Sequence, residues 1–305
     1  MSKIKLLLIS KDFSGWIHTE RSGLQKELSF ITDLEVWHQP GNIHHILKQI
    51  RFVPDFIYIY VCGSANCPRI TGLDSLKIPY GIYVEDLHWL KRFQSTVRKN
   101  NITHIFNCYR DAFHKTYPKL SDRMIWLPHH VDLNLFHDLE HPKDIPMLMM
   151  GAINPKYYPL RHKIVKTLSG SPDFLYHPHP GYRNVKDNEG LMVRENYVKE
   201  INRAKLFFTC DSIYKYPVKK YFEVLACNTL LLASDSPELH DLGFRAGENF
   251  VAINEHDFHE KAEYYLQNEE ERKRISRNGY NMVRVKHSTE VRAKELVTFI
   301  GSILS

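Results

Sequence analysis

The stretch Tyr214 to Asp235 reads YKYPVKKYFEVLACNTLLLASD, and its chemistry is carried by Lys219 and Glu223, four residues apart. A carboxylate beside a buried stripe can accept two hydroxyls at once, which suits the paired 2′ and 3′ hydroxyls of a ribose. A lysine one turn nearer the helix start sits where a phosphate is favoured by both the ammonium and the helix dipole. Tyr216, just upstream, counts with them as a ligand-binding candidate. The same spacing also suits a solvated Lys–Glu pair worth only tenths of a kcal/mol, and spacing alone leaves both readings open.

These side chains need a short helix. Pro217 suits its first turn, where a missing N–H costs nothing. Val218, Phe222, Leu225 and Ala226 recur on one buried face, which leaves Lys219 and Glu223 on another. Asn228 can take the left-handed conformation that ends a helix, and Thr229 to Ala233 is an apolar run of inner-strand length. The expected unit is helix, tight turn, buried parallel strand.

The run KKYFEVLACNTLLLASDSPEL, followed by FRAGENFVAI, a helical pattern and NEEERKRISRNGYNMV, resembles the C-terminal half of the group 1 (GT4-like) glycosyltransferases, most nearly the branch of CgeB-like spore maturation proteins. The match runs from about Arg203 to Thr298. LPHHVDLNLF, Leu127 to Phe136, is similar to the segment with which these enzymes leave their N-terminal domain. The resemblance implies an α/β chain of GT-B fold, two Rossmann-like domains with parallel sheets facing a central cleft, with Glu223 on the ribose of a nucleotide-sugar donor. Two positions depart from the pattern: Asn228 stands where glycine is usual, and Lys215 stands where many members carry a second glutamate.

Composition sets the outer limits. The 305 residues suffice for two domains of ordinary size, and 43% hydrophobic with 25% charged residues is a globular balance. The opening MSKIKLLLIS has too short an apolar run for a signal peptide or a membrane span, so a cytoplasmic protein without a transmembrane segment is expected. Five cysteines without a C-x-x-C pair read as reduced thiols. Among the 18 histidines, His44-His45, His129-His130 and His177-x-His179 are possible metal ligands by type, but none has the H-E-x-x-H spacing. No D-x-D triplet occurs, so no metal cofactor is expected, and basic residues with helix dipoles take over its role. The net charge of +6 permits nucleic acid as a partner, though a nucleotide-sugar donor already accounts for part of it.

Taken in order, the chain alternates strand and helix patterns, the rhythm of parallel sheets. The loop Lys11 to Thr19 after the first strand holds Gly15, a candidate for close backbone approach to a ligand; G-x-G-x-x-G and P-loop signatures are absent. Polar residues follow two strand ends directly, Cys62-Gly63-Ser64 and Glu85-Asp86-Leu87-His88. Asp86 and His88 are candidates for a catalytic base or acceptor ligands, with helix capping and a surface histidine as the alternatives. After a linker at Asp138 to Pro146 the pattern restarts with a strand ending at Gly151, and Lys156 and Arg161 then stand at a helix start as a diphosphate cradle or a solvated basic turn. The expected domains are 1–141 for the acceptor and 142–305 for the donor, with the last helix crossing back to the first. The expected reaction is metal-independent transfer of a hexose-like sugar from a nucleotide-diphosphate sugar to a hydroxyl acceptor. The alternatives are a non-catalytic nucleotide-sugar-binding protein and a glycosyltransferase acting on modified DNA bases.

Overall fold

The computed structural model describes residues 3–17, 19–60, 67–90, 92–184 and 190–305. Cys62-Gly63-Ser64 lies outside the described residues. The chain divides into two compact units. The first is Met1–Ser14, Arg21–Pro128 and Glu290–Ser305; the second is Gly15–Glu20 and His129–Thr289.

The first unit contains β1 (Lys5–Ile9), α1 (Glu20–Ile31, from its second residue), β2 (Asp33–Trp37), β3 (Gly41–Asn42), α2 (Ile43–Ile46), β4 (Phe56–Ile59), β5 (Ile70–Thr71), β6 (Tyr80–Val84), α3 (Phe93–Lys99), β7 (His104–Asn107), α4 (Arg110–Thr116) and β8 (Met124–Trp126). Six strands form a parallel sheet in the order β2-β1-β4-β6-β7-β8, and β3 pairs with β5. Both faces are covered, so β4 and β6 are continuous apolar or aromatic runs that are buried throughout. Leu7, Ile57, Ile82 and Ile105 from neighbouring strands pack with Phe93 and Phe113 from the helices into one core. Helix α4 carries no clear periodic stripe in the sequence. Asn107 organises its approach: its Oδ1 accepts from the Tyr109 N–H at 2.8 Å while its amide donates to Val84 O at 2.7 Å.

The second unit contains β9 (Ile145–Met150), α5 (Pro159–Leu168), β10 (Phe174–His177), α6 (Arg194–Arg203), β11 (Ala204–Thr209), α7 (Lys220–Ala226), β12 (Leu230–Ala233), α8 (Pro237–Asp241), β13 (Val251–Ala252), α9 (Phe258–Gln267) and α10 (Glu269–Lys286). Its five strands are parallel in the order β10-β9-β11-β12-β13. The final helix, α11 (Thr289–Leu304), groups with the first unit from Glu290 on. Asn228 ends α7 with φ of +51°, the left-handed turn expected of it. Helix α7 itself starts three residues later than Pro217 suggests. The preceding loop is held back by a Tyr216 N–H to Asp211 O bond of 2.7 Å and by a left-handed Lys215 at φ +58°.

Candidate active site

In the second sheet β9 is flanked by β10 on one side and β11 on the other, so the connections leave in opposite directions between β9 and β11. Open α/β sheets bind ligands at the carboxyl ends of strands at such a switch point. A pocket opens at the carboxyl ends of β9 and β10 and is lined by Gly151, His177, His179, Arg194, Tyr197, Lys220 and Glu223, with Ile17, Thr19 and Glu20 from the Gly15–Glu20 segment of the same unit.

Glu223 is almost fully buried on α7, and Tyr197 on α6 donates its hydroxyl to Oε2 at 3.0 Å. Oε1 accepts no hydrogen bond among the described residues, which leaves that oxygen for a ligand. Burial pushes the carboxyl up and the Lys220 ammonium pulls it back. Lys220 lies one turn away at i, i+3, its Nζ 5.8 Å from the centre of the Tyr197 ring, and makes no ion pair or hydrogen bond among the described residues. Burial brings it down to about 8, with Arg161 and Lys219 adding to the fall and Glu223 opposing it.

Gly151 makes room for that ammonium. Its φ is +125°, and a Cβ there would stand 3.1 Å from Lys220 Cε and 3.7 Å from an Arg161 nitrogen. Arg161 is buried at the start of α5 and donates from Nη2 to Thr209 Oγ1 at 2.9 Å and Cys210 O at 3.0 Å. It is therefore a fixed positive charge at the end of β11, beside the switch point. Two histidines share the lining. His177 Nε2 pairs with the buried Glu200 at 3.0 Å. His179 is pushed down to about 4 by burial first, then by Lys220 and Arg161, and so stands neutral at pH 7. Among the described residues no three His, Cys, Asp or Glu side chains converge as a metal site.

The placement expected from the sequence is corrected at several positions. Lys219 is turned onto Glu20 as an ion pair, and it is Lys220 that lines the pocket, because α7 begins at Lys220 and each residue rotates the helix by about 100°. Lys156 is exposed, with its ammonium 5.7 Å from the Tyr157 ring centre, and is not among the lining residues. Tyr216 is buried and stacked on Tyr214 at 5.3 Å, so its ring serves the loop before α7. Gly15 does not line the pocket either; its neighbour Trp16 bridges to Asn184, whose side chain a Cβ at Gly15 would meet at 3.7 Å. Asp86 and His88 belong to the first unit, both exposed, at the turn after β6, and Asp86 makes no capping hydrogen bond through its side chain. Tyr197, Arg194 and Glu200 escaped sequence reading because α6 looks like an ordinary amphipathic helix. The His177-x-His179 pair was visible as a cluster of ligand-type residues.

Residues 158–298, just under half of the chain, match the glycosyl transferase-like family. No curated protein matches the chain by sequence. Among solved structures, sucrose-phosphate synthase from Thermosynechococcus elongatus superposes with a TM-score of 0.68 at 11% identity, over 98% of each chain. A glycosyltransferase from Rickettsia africae gives 0.64 at 10% identity, over the whole of both chains. An α-glucosyltransferase in complex with UDP and a 13-mer DNA containing an HMU base gives 0.66 at 10% identity, over 99% of this chain and 100% of that one. The fold is thus that of these GT-B neighbours, two Rossmann-like units, and residues 158–298 carry the match to the glycosyl transferase-like family.

Proposed function

We propose that the chain transfers a sugar from a uridine diphosphate sugar to a hydroxyl acceptor without a metal ion, working in the cytoplasm and within the CgeB-like branch of the group 1 enzymes. The observation that carries this reading is one pocket at the carboxyl ends of β9 and β10, next to the sheet's switch point, that joins a buried, half-satisfied carboxylate to an ammonium without an ion pair among the described residues. Glu223 holds the ribose diol through Oε1. Lys220 and Arg161 face the diphosphate and stabilise the charge that develops as the glycosidic bond breaks. Asp86 and His88, on the first unit, are the candidates for binding the acceptor hydroxyl. The HepE protein of Anabaena, similar in fold at a TM-score of 0.62 and 10% identity, is solved in complex with UDP-glucose, which supports uridine as the base. The described cysteines are all free thiols, in keeping with a reducing compartment.

Calorimetry with UDP and a panel of nucleotide sugars, followed by assay of donor hydrolysis and transfer, tests the reading. Saturable binding with turnover that persists in EDTA is expected. Binding without any turnover leaves a nucleotide-sugar-binding protein, and loss of activity in EDTA with recovery in manganese rules out the metal-free mechanism. A DNA acceptor is favoured only by the structural likeness to the enzyme solved with DNA and by the charge of +6. Transfer to hydroxymethylated duplex in the same assay decides it.

A further inference from the structure

A second pocket, of about 420 Å³, lies at the opposite edge of the second unit's sheet, at the amino ends of β9, β11 and β12. Its lining includes five cations, Lys143, Lys205, Arg272, Lys273 and Arg277, against one carboxylate, Glu269. The carboxylate does not neutralise them. Glu269 lies 2.7 Å from Lys273 and 3.7 Å from Arg272, which leaves three cations without an ion pair among the described residues. Lys143 is the most telling of these. Its Nζ donates to Asn202 O at 3.0 Å and Thr229 Oγ1 at 2.9 Å, both neutral acceptors. Burial, reinforced by Arg272, brings it down to about 8, although Asp138 pulls the other way. Lys205 makes no hydrogen bond among the described residues, and Arg277 rests only on the ring of Tyr280 at 5.4 Å. A surface charge run would be solvated and flat. Here the cations converge on a concavity with one ammonium sunk in its wall, and such an arrangement is stabilised when an anion is drawn in.

We propose that this pocket binds the phosphoryl group of a small molecule, a sugar phosphate or a polyphosphate, at a site separate from the donor pocket. Its size suits such a ligand, and a pocket walled by β-strand ends and α10 gives a phosphate oxygen several donors at once. Lys205 and Arg277 are the cations open to a phosphate, while Lys143 and Arg272 add positive charge from the wall, Arg272 being itself held on Tyr265 O at 2.7 Å and Leu266 O at 3.2 Å. Occupancy would bring Lys143 back toward its ordinary value, so binding takes up protons near pH 8.

The test uses the full chain and calorimetric titration with pyrophosphate and with glucose 6-phosphate, glucose serving as the uncharged control. Three proteins are compared: wild type, Lys205→Ala/Arg277→Ala, and Lys220→Met, which removes the unpaired ammonium of the donor pocket. Both replaced cations of the double variant are at the pocket's surface, so its melting temperature is expected to stay near wild type. A loss of affinity of about tenfold or more for at least one phosphoryl probe in the double variant, retained in Lys220→Met, supports the site; which probe responds identifies the ligand class. Equal affinity of the double variant and wild type for both probes overturns the proposal. So does binding that disappears only with Lys220→Met, no binding up to about 10 mM, or a double variant that loses duplex DNA while keeping both small probes, which makes the patch a nucleic-acid surface.

Discussion

Glu223 and Lys220 sit one turn apart on α7 with complementary unfilled capacities, an acceptor oxygen and an ammonium. If Glu223 holds the ribose diol, Glu223→Gln keeps the shape but weakens a charge-assisted acceptor. Donor affinity should fall by roughly 1.5–3 kcal/mol in calorimetry, with little change in unfolding. Lys220 predicts a pH dependence. An ammonium that titrates near pH 8 holds a diphosphate below that value and loses it above, so affinity for UDP should decline as pH rises through about 8 while affinity for uridine stays level. Lys220→Arg, which stays charged, should remove that decline. The sign for stability is opposite: since the folded state depresses this lysine, the unfolded chain binds the extra proton, and its contribution to folding improves as pH rises between about 8 and the ordinary lysine range. A UDP affinity flat from pH 7 to 9.5, both values being about a unit and a half or less from the midpoint, would remove Lys220 from the phosphate.

At the scale of elements, the site depends on how closely α10 can approach α7. Gly279 faces α7 and the loop before β13. A Cβ on it would fall 2.5 Å from the backbone oxygen of Asn249 and 2.7 Å from Leu225 Cδ2. Backbone cannot yield as a side-chain tip can, so Gly279→Ala should destabilise the fold by about 1–3 kcal/mol in denaturant unfolding and weaken UDP binding by shifting α7. Gly151→Ala acts differently. It forces φ +125° on an alanine and crowds Lys220, so UDP affinity should fall along with a stability loss of order 1–3 kcal/mol. Uridine affinity should change less than UDP affinity, because the crowded group is the ammonium.

For the whole molecule, the last helix is the decisive element. Residues Glu290–Ser305 group with the first unit although they follow the second in sequence. Arg292, Ala293, Leu296 and Ile300 are almost completely buried, and Arg292 pairs with Glu295. Removing Glu290–Ser305 would strip an apolar stripe from the first unit and leave its counterpart exposed. The truncated chain should aggregate or show partial unfolding by hydrogen exchange confined to the first unit, with the second unit's strands still protected. Uniform protection across both units would mean that the helix contributes little to the first one's stability.

The sequence by itself determined the alternation of strands and helices, the apolar inner strands and the left-handed end of α7 at Asn228, because these depend on local period and on backbone preference. It also picked out Glu223, which lines the pocket, and Arg161, which is buried on Thr209 and Cys210 and is not among the lining residues. Which lysine of the adjacent pair enters the pocket was decided by tertiary structure: the loop folded around Asp211 delays the helix start, and Glu20, distant in sequence, takes Lys219. The same holds for Tyr197, for the His177–Glu200 pair and for the cations of the second pocket. Each of these arises where separate strands and helices pack side by side, and parallel strand order, which local spacing does not encode, sets those neighbours.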